Sequence, residues 1–270
     1  VVPVITGFLA ETPDGSIATL GRGGSDTTAV MLGKYLDADE VVIVTDVEGI
    51  MTGDPHVVEG ARNVGEITVD ELRNLSFRGA EVIAPSALAY KDADREMRVV
   101  HYQHDDLLSG GTRVEGEFKN IIDMQETPVA CVTVAGRAIR NQHGVLSKLS
   151  NALAEGDINV DAVASGMDSI SFYLSEDECE RAERILHRQV VDDAVLSSVT
   201  VNEGLAAVRV LGGELPNRPG VIAEIVNPLA DARITIHDLI TSATSITVVV
   251  DWEDGEEALD IVQEHFGALQ

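Results

Sequence analysis

The residues best suited to chemistry fall in two short stretches near the start of the 270-residue chain. The first, Leu20-Gly21-Arg22-Gly23-Gly24-Ser25-Asp26-Thr27-Thr28-Ala29, lies between a strand-like run (Ile17 to Leu20) and an apolar helical run (Val30 to Leu36). Glycines let the backbone turn sharply and bring N–H groups close to an anion, and the helix N-terminus that follows adds favourable potential for negative charge. Arg22 can hold a carboxylate through two parallel N–H bonds, Ser25, Thr27 and Thr28 supply hydroxyls, and Asp26 can orient a lysine or another ammonium. The stretch matches neither the Walker phosphate loop nor the dinucleotide fingerprint. Taken alone, it reads equally well as a glycine turn capped by Ser or Asp before a helix.

The second stretch, Val44-Thr45-Asp46-Val47-Glu48-Gly49-Ile50-Met51-Thr52-Gly53-Asp54-Pro55, leaves the carboxyl end of a buried strand, Val41-Val42-Ile43-Val44. In open α/β sheets ligands bind at that edge. The rival is a polar turn loop in which Asp46 and Asp54 act only as turn formers.

The elements that must position these stretches follow from the pattern around them. From Val1 to about Glu117, short β-branched runs alternate with helical ones, the rhythm of a parallel α/β sheet. Val1 to Phe8 and Arg98 to Tyr102 read as strands. Thr68-Val69-Asp70-Glu71-Leu72 opens a helix with a polar cap and an acidic first turn, and a further helix follows Pro85 through Ala87, Leu88 and Tyr90.

The rest of the chain repeats itself at an offset of 76 residues. Val129–Gly136 aligns on Leu205–Gly212, and His143–Leu146 aligns on Pro219–Ile222. Ile158–Val160 aligns on Ile234–Ile236, and Ser169–Phe172 on Ser245–Val248. Each copy reads strand, glycine-started helix, strand, strand, helix, strand, which is the ferredoxin-like βαββαβ order. Val145, Leu146, Leu149 and Leu153 recur at helical spacing in the first copy. Two such units imply a paired or dimerised regulatory layer.

Acidic residues number 46 against 19 basic ones, a formal net charge of -27. That balance argues against a nucleic-acid partner. Only Lys34, Lys91, Lys119 and Lys148 are lysines, and an acidic, lysine-poor surface suits a high-salt, halophilic cytoplasm. Cys131 and Cys179 have no CxxC partner, so they read as reduced core thiols with no disulfide or zinc role, and no metal site is expected. No apolar run is long enough for a membrane span and no cleavable leader is visible, so a cytoplasmic location without a membrane partner is expected.

In this setting the chain resembles the aspartate kinase family, a branch of the amino-acid kinases. The resemblance runs over essentially the whole chain: the Thr19–Ala29 run, Thr45-Asp46-Val47-Glu48-Gly49, Asp54-Pro55, and two C-terminal ACT-type repeats in the expected order. It implies a partial amino-acid kinase α/β sandwich over residues 1–118, followed by ACT repeats at 119–201 and 202–270. It also implies transfer of the ATP γ-phosphoryl group to the β-carboxylate of L-aspartate with Mg²⁺, giving 4-phospho-L-aspartate, the first step toward lysine, threonine and methionine. By the same resemblance Arg22 and Asp26 are catalytic, with Asp26 positioning a lysine. Arg22, Gly23, Gly24 and Ser25 bind aspartate, while Thr45, Asp46, Met51 and Asp54 line the nucleotide site. His56, His101 and His104 are read as surface or packing residues.

Three departures stand out. The family's Lys-Phe-Gly-Gly phosphate-binding turn is missing, Glu81 follows Gly79-Ala80 where many relatives have lysine, and His56 follows Asp54-Pro55 where arginine is usual. The chain is therefore expected to be truncated, and weakly active or inactive alone. The ACT repeats imply an amino-acid effector, lysine or threonine, and a homo-oligomer joined through them. Effector-site candidates are Ile139, Gln142, Gly144, Val145, Leu146, Asn159, Val160, Asp161 and Ser165. The second repeat offers Asn217, Arg218, Pro219 and Gly220, but Ile236 and His237 stand in place of Val160 and Asp161, which makes the first repeat the better pocket. The alternative function is a non-catalytic ACT-containing subunit that senses lysine or threonine. A glutamate 5-kinase or N-acetylglutamate kinase fits less well, because neither is expected to carry two ACT repeats.

Overall fold

The computed structural model describes residues 2–77, 83–137, 139–212, 219–242 and 244–267. Two compact units divide the chain, one built on the residues up to Asn120 and one on Ile121–Val210 with the residues from Gly220.

In the first unit, β1 (Leu9–Glu11) and β2 (Ile17–Thr19) form a small antiparallel hairpin, and α1 (Gly24–Tyr35) follows. Strands β3 (Glu40–Thr45), β4 (Glu66–Thr68), β5 (Glu96–His101) and β6 (Thr112–Glu115) make a sheet in the order β3-β5-β6-β4. β3 runs parallel to β5 and β4 parallel to β6, but β5 and β6 are antiparallel. The sheet is mixed, not wholly parallel as its rhythm implies, because β6 returns beside β5 without a helical crossover. Val30, Val41, Ile43, Leu72, Leu88, Met97, Val99 and Val114 form the core between helices and sheet.

Helix α2 (Val69–Phe77) begins with a reciprocal cap: the Thr68 backbone N–H donates to Glu71 Oε2 at 2.9 Å, and the Glu71 N–H donates to Thr68 Oγ1 at 3.2 Å. The helix expected after Pro85 is a single turn, α3 (Pro85–Leu88). The strand expected over Val1 to Phe8 is not formed by the described residues 2–8, where Val2 and Val4 are 88% and 95% exposed and Phe8 has φ 73. An apolar run becomes a strand only where a neighbour takes its N–H and C=O groups, and Pro3 removes one of those donors.

The second unit contains β7 (Ile121–Met124), β8 (Val129–Gly136), α4 (Val145–Glu155), β9 (Ala162–Ser165), β10 (Ser169–Ser175), α5 (Cys179–Val191) and β11 (Leu196–Leu211). It continues with α6 (Val221–Asp231), β12 (Ile236–Thr241), β13 (Ser245–Asp251) and α7 (Gly255–Gly267). The 76-residue offset governs the boundaries themselves: α4 and α6, β10 and β13, and α5 and α7 each start and end 76 residues apart. Gly144 and Gly220 hold the same left-handed N-cap, with φ 84 and 92. Asp157 and Arg233 share the positive φ after the first helix.

The sheet order is β12-β13-β11-β8-β10-β9, with β7 also paired to β11. β11 is one 16-residue strand serving both repeats, its first half pairing with β8 up to a register shift between Asn202 and Leu205. Gly204, at φ 66, sits in that shift. The second repeat therefore takes its outer strand, β7, from ahead of the first repeat. Gln263 of α7 seals the arrangement by donating to the Ile122 carbonyl at 3.3 Å.

Candidate functional site

Gly21 and Gly23, at φ 77 and 75, adopt backbone that other residues reach only at a cost, and they fold the chain from β2 into α1. Gly23 caps the helix, so Gly24, Ser25, Asp26 and Thr27 form its first turn and not a loop ahead of it. A Cβ at Gly23 would lie 2.1 Å from the Ala84 Cβ, and one at Gly24 would lie 2.7 Å from the Leu20 Cβ, so both positions exclude side chains. Thr27 Oγ1 donates to the Gly23 carbonyl at 3.1 Å, and Thr28 Oγ1 donates to the Gly24 carbonyl at 2.8 Å. These two threonines brace the turn. Arg22 and Ser25 are exposed at its rim.

Asp26 is half-buried. Burial raises its carboxyl above the ordinary aspartate value, opposed by the backbone N–H of Ala84. No lysine pairs with it among the described residues, and the chain's lysines are engaged or placed elsewhere. Lys91 Nζ donates to the carbonyls of Asp92 (2.6 Å) and Gly116 (2.9 Å), Lys148 holds Asp193, Lys119 pairs with Glu117, and Lys34 lies in the last turn of α1.

Thr45 ends β3, and its Oγ1 donates to Asp46 Oδ1 at 3.3 Å. Asp54 accepts the His56 N–H at 2.9 Å, so it also forms the turn. Between them Ile50 is buried, 2% exposed, and Met51 bridges to Asn63. Thr45 and Met51 are half-buried, while Asp46 and Asp54 are exposed. Because α1 packs on β3 and the chain reverses through Leu36–Asp39, the start of α1 and the end of β3 lie at one end of the layer. The fold thus brings the two chemistry-bearing stretches to the same end. Gly79, Ala80 and Glu81 lie outside the described residues.

In the second unit, Ile139, Gln142, Gly144, Val145, Leu146 and Ser165 line one open cavity of about 860 Å³. Sequence reasoning missed Gly166, Met167 and Ile170 on the same wall; the Ser165-Gly166-Met167 tip between β9 and β10 was the available signal. Asn159, Val160 and Asp161 do not line that cavity. Asp161 precedes β9, four residues from Ser165, which is about 13 Å of strand. It faces a separate cavity of about 310 Å³ with Tyr173, Asp123 and Arg209, and it accepts a 3.0 Å bond from Asn159. Val160 packs on the first repeat's core. His237, the counterpart of Asp161, pairs with Asp251 at 2.8 Å. Asn217 and Arg218 lie outside the described residues.

Cys179 is buried in the first repeat's core, where burial pushes its thiol up to about 12. Among the described residues no group of three or more metal-binding side chains converges, and no helix is long and apolar enough to cross a membrane.

Residues 1–101 match the amino acid kinase family, and residues 132–190 and 200–264 each match an ACT domain. The chain is 33% identical over 276 residues to an aspartokinase of Thermus thermophilus, covering 98% of this chain and 67% of that protein. It is 31% identical over 275 residues to aspartokinase 2 of Bacillus subtilis, covering 98% and 66%. It thus spans about two thirds of the length of these relatives. The solved aspartate kinase from Synechocystis superposes with a TM-score of 0.76 at 28% identity, over 94% of this chain and 47% of that one.

Proposed function

The chain belongs to the aspartokinase family, and from that premise we propose that it carries the aspartate site and part of the nucleotide site of an ATP-dependent aspartate kinase. The reaction transfers the γ-phosphoryl group to the β-carboxylate of L-aspartate, giving 4-phospho-L-aspartate, the opening step toward lysine, threonine and methionine. The observation that carries the reading is the glycine turn opening α1 at the same end of the layer as the Thr45–Asp54 loop.

Both reactants are anions, so positioning and charge neutralisation do the catalytic work and no protein nucleophile is needed. Arg22 would grip a substrate carboxylate, and Gly23, Gly24 and Ser25 would shape its cradle, the Gly24 N–H itself being donated to the Gly21 carbonyl at 3.1 Å. Asp26 would orient a cation such as the substrate ammonium, since among the described residues Lys119 and Lys148 are paired with Glu117 and Asp193. Thr45, Asp46, Met51 and Asp54 would line the nucleotide. Mg²⁺ carried on the ATP phosphates would supply charge neutralisation there.

The ACT repeats would add feedback, with lysine or threonine held in the cavity of Ile139, Gln142, Gly144, Val145, Leu146 and Ser165. Its rim leaves Leu146 and Met167 exposed at 45% and 69%, which favours closure of the cavity by a second copy, as a homo-oligomer joined through these repeats would provide. The acid-rich composition supports a halophilic, cytoplasmic setting.

Calorimetric titration of the chain with L-aspartate tests the substrate site: binding that Arg22→Ala weakens supports it, and binding unchanged in that variant refutes it. Aspartate-dependent ADP release from Mg-ATP is expected to be slow for the 270 residues alone, and turnover at an ordinary enzyme rate would refute that expectation. Titration with lysine and threonine tests the effector cavity, and no heat with either removes the sensor assignment.

A further inference from the structure

The Thr45–Asp54 loop is held at its centre by two residues that lie far from it in sequence. Thr112, the first residue of β6, is fully buried, and its Oγ1 accepts the Ile50 N–H at 2.9 Å. The same oxygen lies 3.2 Å from Asn63 Nδ2, which also donates to the Glu48 carbonyl. Thr112 Oγ1 is 3.4 Å from Asn63 Oδ1, so hydroxyl and amide face each other with both of their polar ends.

Around this pair the loop is laced to residues 62–64. Val64 N–H donates to the Ile50 carbonyl at 2.7 Å, Thr52 N–H to the Arg62 carbonyl at 2.9 Å, and Arg62 N–H to Thr52 Oγ1 at 3.1 Å. Gly49 takes φ 115, and a Cβ there would lie 2.4 Å from Asn63 Nδ2 and 2.7 Å from Thr112 Oγ1. The backbone of Glu48–Ile50 is therefore pressed against both side chains in a conformation that only glycine adopts readily, and the hydrogen bonds must hold it there.

We propose that Thr112 and Asn63 are positioning residues. They touch no substrate themselves, but they lock the Glu48–Met51 turn and thereby set the separation of Thr45 and Asp46 on one side from Met51 and Asp54 on the other. The two halves of a nucleotide-binding loop need a fixed spacing, because misplacement by about 1 Å is enough to cost much of the binding or rate. The functional consequence rests on the nucleotide reading above; the anchoring itself does not.

Thr112→Val keeps the side-chain shape and removes the hydroxyl, Thr112→Ser restores it, and Asn63→Ala removes the amide. Amide hydrogen exchange on the full chain is expected to quicken about tenfold over residues 48–52 in Thr112→Val and Asn63→Ala, with exchange in β8 and β10 unchanged and with Thr112→Ser close to wild type. Unchanged protection of 48–52 in Thr112→Val, or the same loss in Thr112→Ser, overturns the proposal. ATP titration supplies the second readout: about tenfold weaker binding in Thr112→Val, recovered in Thr112→Ser, links the anchor to the site. Equal ATP affinity in wild type and Thr112→Val overturns that link. A wild-type chain that binds no ATP overturns the nucleotide reading instead, and the exchange result then decides the anchoring by itself.

Discussion

The Tyr173 hydroxyl donates a 2.6 Å hydrogen bond to Oδ2 of Asp238, tying β10 of the first repeat to β12 of the second. These strands are not neighbours in the sheet, so the bond crosses between the helix-free faces of the two repeats, where Val129, Leu205 and Val249 also meet Tyr173. A hydrogen bond to a charged group is worth about 1.5–3 kcal/mol. Tyr173→Phe is expected to lower the unfolding free energy by about that amount, measured by urea titration at neutral pH. Burial first, and the Asp238 bond second, raise the Tyr173 ionisation well above the ordinary tyrosine value. A raised folded value gives stability that is complete below the unfolded pKa of about 10 and declines as pH climbs past it. Wild type should therefore lose more stability than Tyr173→Phe between pH 8 and pH 11, and parallel pH curves would contradict this.

Gly23→Ala should disable the turn that opens α1. The residue would have to hold φ 75 and place its Cβ 2.1 Å from that of Ala84, whose neighbour Pro85 begins α3. The left-handed conformation alone costs about 1–2 kcal/mol, and relief of the contact requires α1 and α3 to separate. Aspartate titration should show loss of binding together with a lower thermal midpoint; wild-type values for both would mean that the turn has slack that the geometry does not suggest.

Much of this arrangement was legible in the sequence, for identifiable reasons. The 76-residue offset survived because each repeat buries the same apolar positions, so α4 and α6 begin at matching residues behind Gly144 and Gly220. The Thr68–Glu71 cap was visible because its signal is local. By contrast, β7 could not be assigned from order alone, since its partner β11, the strand shared by both repeats, begins only at Leu196. Thr112 was equally hidden, because its role comes from a bond to Ile50 that spans 62 residues and leaves no spacing pattern. Asp161 was placed with Gly144 by family resemblance, but the direction of β9 carries it to the other end of the strand.

Lys148 and Asp193 tie α4 to the segment after α5 at 2.9 Å, and Asp193 Oδ1 also accepts the Val195 N–H at 2.8 Å. The Lys148 bond first, and the Val195 N–H second, hold the Asp193 carboxyl below the ordinary aspartate value. A depressed folded value gives stability that is complete above the unfolded pKa of about 3.9 and is lost as pH falls through the lower folded one. Asp193→Asn should accordingly destabilise the protein at pH 7 and narrow its difference from wild type below about pH 4. Denaturant titrations at the two pH values check this, and a difference that persists undiminished in acid would assign the effect to packing.

Salt dependence follows from the charge balance and from where the cations are spent. With 46 acidic and 19 basic residues, the chain carries many more carboxylates than it can pair. Several of its cations are locked in short contacts, such as Arg95 with Asp92 at 2.6 Å and Arg98 with Glu40 at 3.0 Å. Partly buried pairs of this kind are screened little by salt, whereas repulsion among exposed acids is screened strongly as the Debye length shrinks from about 10 Å at 0.1 M to about 3 Å at 1 M. Runs such as Glu176-Asp177-Glu178 before α5 and Glu253-Asp254 before α7 supply that repulsion, and only the residues nearest each helix start recover part of it from the helix dipole. The attractive and repulsive contributions therefore respond unequally, and repulsion loses more. Raising KCl from about 0.1 M to about 1 M should lift the thermal midpoint by about 5 °C. NaCl should act similarly, since screening depends on ionic strength. A midpoint that stays level or falls would show that the paired cations, and not the excess acids, dominate the electrostatics of the fold.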